Sequence, residues 1–266
     1  VSAVQRLDGQ VAIVTGGGSG IGRETARMLA AEGATVVIAG RRRAPLDAVV
    51  KEIQAEGGKA AAYAVDIEKR DGTTDLARWT VDTFGHVDIL INNAGHSSKA
   101  RNIRWVGQEE WDSVIAVNLT AVYTLSQAVL PSMIARGGGT IVTVASYAAI
   151  RSSHVGGAPY GAAKAAARNL MNNVHNTLRD RGIRATTVVP SEVDTPILDN
   201  RPLPPSAEGR ATMMQAEDVA RAVLLCVTLP PRTVIEEIVM HPTRQRDMAK
   251  ELEVAGRMGA PDGAPE

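Results

Sequence analysis

Seven short runs rich in β-branched and small apolar residues recur along the chain, separated by longer stretches with apolar residues at helical spacing. The runs cover residues 11–15, 34–39, 59–65, 87–92, 139–146, 183–190 and 233–240. All except the third and seventh are apolar along most of their length, as strands covered on both faces must be. Residues 20–32, 45–56, 70–84, 108–136, 158–181 and 216–229 between them read as helices. Such alternation winds as right-handed βαβ units, which predicts an α/β fold with a doubly wound, mostly parallel seven-stranded sheet and helices on both faces. The 266 residues suit one large domain with a sizeable core. Residues 1–245 are expected to form it, with a substrate loop at about 191–214 where prolines crowd. Residues 246–266 end in small and polar residues and are expected to be a mobile tail.

The first run leads into "TGGGSGIG" and then a helical pattern. Gly16, Gly20 and Gly22, with Gly18, Ser19 and Ile21 between them, give a turn whose backbone can approach a pyrophosphate. The N-terminus of the following helix then aims its free N–H groups at the anion. A P-loop would need a lysine and a hydroxyl residue after the last glycine, whereas Gly22 is followed by Arg23 and Glu24. The turn therefore favours a dinucleotide on a Rossmann-type sheet, although its spacing differs from the commonest fingerprint.

Further on, "GGAPYGAAKAAARN" places Tyr160 and Lys164 four residues apart at the head of an alanine-rich helix, on one face. With four tyrosines in the chain, such a spacing arises by chance about one time in ten, so the pair gains meaning from its surroundings. Taken together, "TGGGSGIG", "NNAG" at 92–95, "VNLT" at 117–120, "TVAS" ending at Ser146 and "YGAAK" at 160–164 resemble the classical branch of the short-chain dehydrogenases/reductases, in that family's order. The resemblance runs motif by motif through about residue 195.

That resemblance implies a hydride-transferring oxidoreductase with Asn118, Ser146, Tyr160 and Lys164 as its catalytic set. Tyr160 would exchange the proton, Lys164 would supply a cation favouring the phenolate and hold the nicotinamide ribose, Ser146 would hydrogen-bond the substrate oxygen, and Asn118 would hold a water in the proton relay. It also implies cofactor contacts from Asp66 and Ile67, from Asn93, Ala94 and Gly95, and from Pro190, Val193 and Thr195. Ser191 departs from the family pattern by standing where glycine is usual, and would be strained if that turn needs positive φ. One extra residue lies between Ser146 and Tyr160.

Cofactor choice is expected at the end of the second strand, beside the adenosine ribose. There "VVIAGRRRAPL" has Gly40 where users of NAD place an acid, followed by Arg41, Arg42 and Arg43. A guanidinium fork suits phosphate oxygens, with Arg41 best placed and Arg42 next to it, so NADP (NADPH) is expected and NAD is less so. The leading expectation is an NADP-preferring enzyme interconverting a ketone or aldehyde and an alcohol. An NAD-linked alcohol dehydrogenase and a non-catalytic dinucleotide sensor stay open as alternatives.

Zero net charge gives no reason to expect nucleic acid or an anionic membrane, and no apolar run reads as a membrane span. The lone Cys226 excludes an internal disulfide and reads as a small apolar helix residue. The histidines have no metal-ligand spacing, so no metal is expected. His96 and His154 follow strand ends near the expected site, while Tyr147 and Arg151 are assigned to the cleft rim or plain surface. A cytoplasmic protein acting on a small carbonyl or alcohol is expected. Small residues along 108–136 and 158–181 further predict a homodimer or homotetramer through paired helices.

Overall fold

The computed structural model of the chain describes residues 5–264. Its elements follow in the order β1 (Val11–Thr15), α1 (Gly20–Ala31), β2 (Thr35–Gly40), α2 (Arg43–Ala55), β3 (Lys59–Ala64), α3 (Arg70–Phe84), β4 (Ile89–Asn92), α4 (Gln108–Ile115) and, after one π turn at Ala116–Thr120, α5 (Ala121–Ala135). Then come β5 (Gly139–Val144), α6 (Ala158–Leu178), β6 (Ile183–Pro190), β7 (Val193–Asp194), α7 (Ala207–Ala211), β8 (Met214–Gln215), α8 (Ala216–Thr228), β9 (Glu237–Met240) and α9 (Ala249–Arg257). Seven strands form one sheet in the order β3-β2-β1-β4-β5-β6-β9, every pair parallel. β7 and β8 pair separately inside the excursion after β6.

Strand periodicity of two explains the layering. Ala12, Val14, Val36, Ile38, Ile89, Ile91, Val142 and Val188 point to one face, where they meet Leu29 of α1, Leu46 and Val49 of α2, and Val219 and Val223 of α8. Their neighbours Ile13, Val37, Leu90, Ile141 and Ala185 point to the other, against Leu76 of α3, Leu125 of α5 and Met171 of α6. All five residues of β1 are buried, which is why its sequence carries no polar alternation.

Several expectations are corrected. Residues 108–136 are continuous in helical direction but interrupted by the π turn, which inserts one residue and rotates Val117 and Asn118 inward. The helical stretch Gln108–Ala135 is long and apolar enough to cross a membrane, with a mean hydropathy of 1.5, although the sequence reading found no such run. Here its Val122, Leu125, Val129 and Met133 pack on the sheet. Part of the expected mobile tail is α9, an amphipathic helix anchored by Glu251 to Arg246 and Arg201, while residues 265–266 lie outside those described. Ser191 is not strained, because no non-glycine residue among those described has positive φ, and its N–H donates to Met240 O at 2.9 Å. Cys226 is buried, and that burial pushes its thiol up to about 11, in keeping with a packing role.

Candidate active site

A cleft of about 1610 Å³ opens along the C-terminal ends of the strands, where the order reverses between β1 and β4. Ligands of open α/β sheets bind at this place because the helices on either side of the reversal depart to opposite faces. The glycine turn forms one wall. Gly16 and Gly20 have φ of +66° and +52°, conformations that side chains rarely adopt. Gly18, Ser19, Gly20 and Ile21 line the cleft at the start of α1, and the Ser19 side chain does not cap the helix. The first-turn amides of α1 therefore keep donors for an anion, which fits a dinucleotide pyrophosphate. Gly22 does not line the cleft. A Cβ there would stand 2.4 Å from Gly16 O and 2.5 Å from Asn93 Nδ2, so this glycine serves close packing behind the turn.

Asp66, Ile67, Asn93, Ala94, Gly95, Pro190, Val193 and Thr195 all line the cleft, as do Arg41 and Arg42. Arg43 does not, and is paired with Asp47 at 2.8 Å. Arg41 and Arg42 are exposed and make no ion pair among the described residues.

Tyr160, Ser146 and Lys164 share the cleft. Ser146 follows β5, and its Oγ accepts from Ala148 N at 3.3 Å, which starts a single turn at Tyr147–Ala149. Gly157, at φ +82°, lets the chain enter α6 so that Tyr160 and Lys164 fall on its sheet-facing side. Lys164 Nζ donates to Val144 O at 2.9 Å and lies 5.6 Å from the Tyr160 ring centroid. Burial pushes its ammonium down to about 8. Burial likewise lifts the Tyr160 phenol above its ordinary value, opposed by a hydrogen bond with Ser146 and by the charges of Arg101 and Arg201. Two arginines that sequence reasoning had not assigned thus act on the phenol, beside Lys164 over its ring.

Asn118 sits in the π turn behind the cleft wall, fully buried. Its Nδ2 donates to His96 O at 2.8 Å and Val114 O at 2.9 Å, while its Oδ1 has no partner. Gly95 lies between Asn118 and Lys164. A Cβ on it would be 2.5 Å from Asn118 Oδ1 and 3.3 Å from Lys164 Nζ.

The outer end of the cleft holds residues that carried no motif. Arg101, Glu192 and Arg201 line it, and so do Tyr147 and Arg151, with Tyr147 packed edge-on to His241 at 4.4 Å between centroids. His96 lines it too, whereas His154 packs against Gly256 of α9. The basic residues of 96–104 were the available signal for Arg101, but spacing alone could not distinguish it from Lys99 or Arg104. No metal-ligating cluster of three residues occurs among those described.

Known proteins share this arrangement. The chain matches the short chain dehydrogenase family over residues 10–204. It is 36% identical over 197 residues to a 3-oxoacyl-[acyl-carrier-protein] reductase of Thermotoga maritima, covering 74% of this chain and 79% of that protein. It is 33% identical over 247 residues to an uncharacterised oxidoreductase of Staphylococcus aureus, covering 89% and 98%. Among solved structures, a metagenomic short-chain oxidoreductase in complex with NADP is 34% identical with a TM-score of 0.78, covering 90% of this chain and all of that one. An alcohol dehydrogenase of the archaeon Thermococcus sibiricus, complexed with 5-hydroxy-NADP, is 26% identical with a TM-score of 0.80, covering 90% and 98%.

Gly95→Ala should leave the protein folded but lower turnover about 100-fold, because the new methyl displaces Asn118 and Lys164 together. Steady-state rates beside a thermal melt check this. Unchanged turnover would show that the two groups need not hold their present separation.

Proposed function

The chain belongs to the short-chain dehydrogenase/reductase family and is an NAD(P)-dependent oxidoreductase of CH–OH and carbonyl groups, and from that premise we propose an NADPH-preferring carbonyl reductase. The observation carrying this reading is the convergence of Ser146, Tyr160 and Lys164 on one cleft with the glycine turn and two unpaired arginines. When bound, the nicotinamide supplies or accepts the hydride. Tyr160 donates the proton to the substrate oxygen. The phenol is protonated at neutral pH, and the hydrogen bond with Ser146 and the charges of Arg101 and Arg201 oppose the rise that burial causes, which favours its acting as an acid in the reductive direction. Ser146 orients the oxygen by a hydrogen bond. Lys164 holds the ribose and stabilises the phenolate that forms, and the free Oδ1 of Asn118 accepts from the group that returns a proton to Lys164. The names of the NADP-complexed relatives and of the Thermotoga reductase support the same chemistry.

Tyr160→Phe is expected to lower kcat by about 10² to 10⁴ while NADPH affinity stays within about threefold, since the phenol acts on the substrate rather than on the dinucleotide. Turnover within threefold of the parent would remove Tyr160 from the proton step. Stopped assays with several ketones and fluorescence titration of NADPH measure the two quantities.

Cofactor preference rests on Gly40, which leaves the end of β2 without an acid, and on Arg41 beside it. Arg41→Ala should cut the ratio of kcat/KM for NADPH over NADH by about 10- to 150-fold, the worth of a charge-assisted hydrogen bond. A parent enzyme that favours NADH would overturn this part of the reading.

The chain is further assigned to a homodimer or homotetramer. Leu119, Tyr123 and Leu170 line a shallow outward depression between α5 and α6, and Tyr123 is 43% exposed. Pairing that face with its copy would cover it in a four-helix contact. Light scattering should report a multiple of 28.0 kDa, and Leu170→Asp should shift it to the monomer mass. A parent that is monomeric at micromolar concentration contradicts the assignment.

A further inference from the structure

Arg101 is the least expected residue of the cleft. It is 3% exposed, yet among the described residues no carboxylate forms an ion pair with it. Its Nη1 donates to Gly156 O at 3.1 Å, and its Nε is buried with no partner. A guanidinium cannot shed its charge in the neutral range, so this burial is costly unless an anion joins it. The cost is visible in its proton affinity, which burial and the neighbouring charge of Arg201 push down to about 10 against the opposing influence of Tyr160 and Glu110.

The loop that carries Arg101 is fixed before any ligand arrives. Lys99 N and Ala100 N donate to the Glu110 carboxylate at 2.8 and 3.3 Å, Ala158 N donates to Arg101 O at 3.0 Å, and Asn102 Nδ2 donates to Gly256 O at 3.2 Å. Glu110 is thereby occupied by backbone rather than by the arginine. Gly156, which accepts from Arg101, also abuts the tyrosine: a Cβ on it would be 3.7 Å from Tyr160 Cδ1. The cation and the phenol therefore flank the same glycine, on the wall of the same cleft.

Resting on the reductase reading above, we propose that the substrate is an oxo acid, whose carboxylate pairs with Arg101 while its ketone oxygen meets Tyr160 and Ser146. Arg201, the other cation near the phenol, is already matched by Glu192 at 3.2 Å and Glu251 at 3.4 Å. Arg101 is thus a buried cation at this end of the cleft with no ion pair among the described residues, and its planar fork suits a carboxylate. In the reaction the ketone carbon gains a hydride from NADPH and the oxygen gains the Tyr160 proton, giving a hydroxy acid and NADP⁺. The carboxylate is unchanged, and solvent restores the proton to Tyr160. Arg101 is a specificity residue here. It binds the part of the substrate that does not react.

The test compares 2-oxo and 3-oxo acids with their own methyl esters, which share the reacting carbonyl and differ in charge. With the parent enzyme and NADPH, kcat/KM for the better acid should exceed that for its ester by about 30-fold or more. Arg101→Gln should bring that ratio to near one, mainly through KM for the acid. Arg101→Lys should keep part of it, because a point charge retains attraction without the bidentate fork. A structural or phenol-tuning role for Arg101 would instead lower acid and ester together and preserve the ratio, which would overturn the proposal. So would a parent that reduces esters as well as acids or better. NADPH binding by fluorescence confirms that each variant is folded. If Arg101→Gln fails to fold, the parent ratio decides, together with inhibition by an unreactive short carboxylate against its amide. Competitive inhibition by the acid alone supports the proposal, and equal inhibition by both overturns it. NADPH binding without reduction of any acid or ester overturns the reductase reading itself, whereas reduction confined to esters overturns only the oxo-acid inference.

Discussion

The Thr15 hydroxyl holds together the place where the sheet changes direction. It is buried at the end of β1, donates to Ile91 O at 3.3 Å, and accepts from Asn93 N at 3.0 Å and Ala94 N at 3.1 Å. Asn93 Nδ2 returns a bond to Thr15 O at 2.9 Å. β1 and β4 part company here, since the chain after β1 turns into α1 on one face and the chain after β4 leaves toward the other. Without the hydroxyl, two half-buried amides beyond the ladder would lose their acceptor. The glycine turn and the Asn93–Gly95 segment are therefore positioned by the same side chain, which fixes the cleft width from its floor. Gly22 extends the constraint. Its missing side chain lets α1 settle against Gly16 and Asn93.

Above that floor, electrostatics rather than shape distinguishes the reacting end. Lys164 is buried and Tyr160 half-buried, and removal from water disfavours the charged form of each, raising the phenol and lowering the ammonium. Their shared dry environment thus moves the two apart in proton affinity, the phenol upward and the ammonium down to about 8. Return of a proton from the ammonium to a phenolate, directly or through a common partner, is therefore more favourable than their ordinary values would imply. The Val144 carbonyl holds Lys164 in place and the π turn holds Asn118 behind Gly95, so the geometry is set by backbone groups that do not titrate.

What the sequence made legible follows from how local each constraint is. The seven strands and their winding were readable because burial on both faces erases polar alternation within five or six consecutive residues. The glycine turn and the Tyr160–Lys164 pair were readable because each is a short stretch whose spacing is its function. The π turn at Ala116–Thr120 was not, since one inserted residue leaves the apolar pattern of the helix nearly unchanged. Ser191 misled because glycine elsewhere in the family suggested positive φ, while here the backbone is ordinary and its amide is bonded to Met240. The C-terminal helix misled for another reason. Small and polar composition indicates mobility only when the charges lack partners, and these partners lie 50 and more residues away in sequence.

Those distant partners also explain why Arg201 adds little net charge to the site. Arg246 reaches Glu192 Oε1 at 2.6 Å and Glu251 Oε2 at 2.7 Å, and Arg201 reaches the same two carboxylates. Two cations and two anions thus share one half-buried cluster with no net charge, tying the turn after β6 to the substrate loop and to α9. Each carboxylate is shared, so losing any member leaves an unmatched charge in a poorly solvated place, which makes the cluster a specific clamp even where its net stabilisation is small. Because Arg201 is cancelled within that cluster, its field at Tyr160 is weakened. Arg101 forms no ion pair among the described residues, although the nearby Glu110 carboxylate acts on it. A buried cation outside every recognisable motif therefore acts on Tyr160 in the cleft where the motif residues converge.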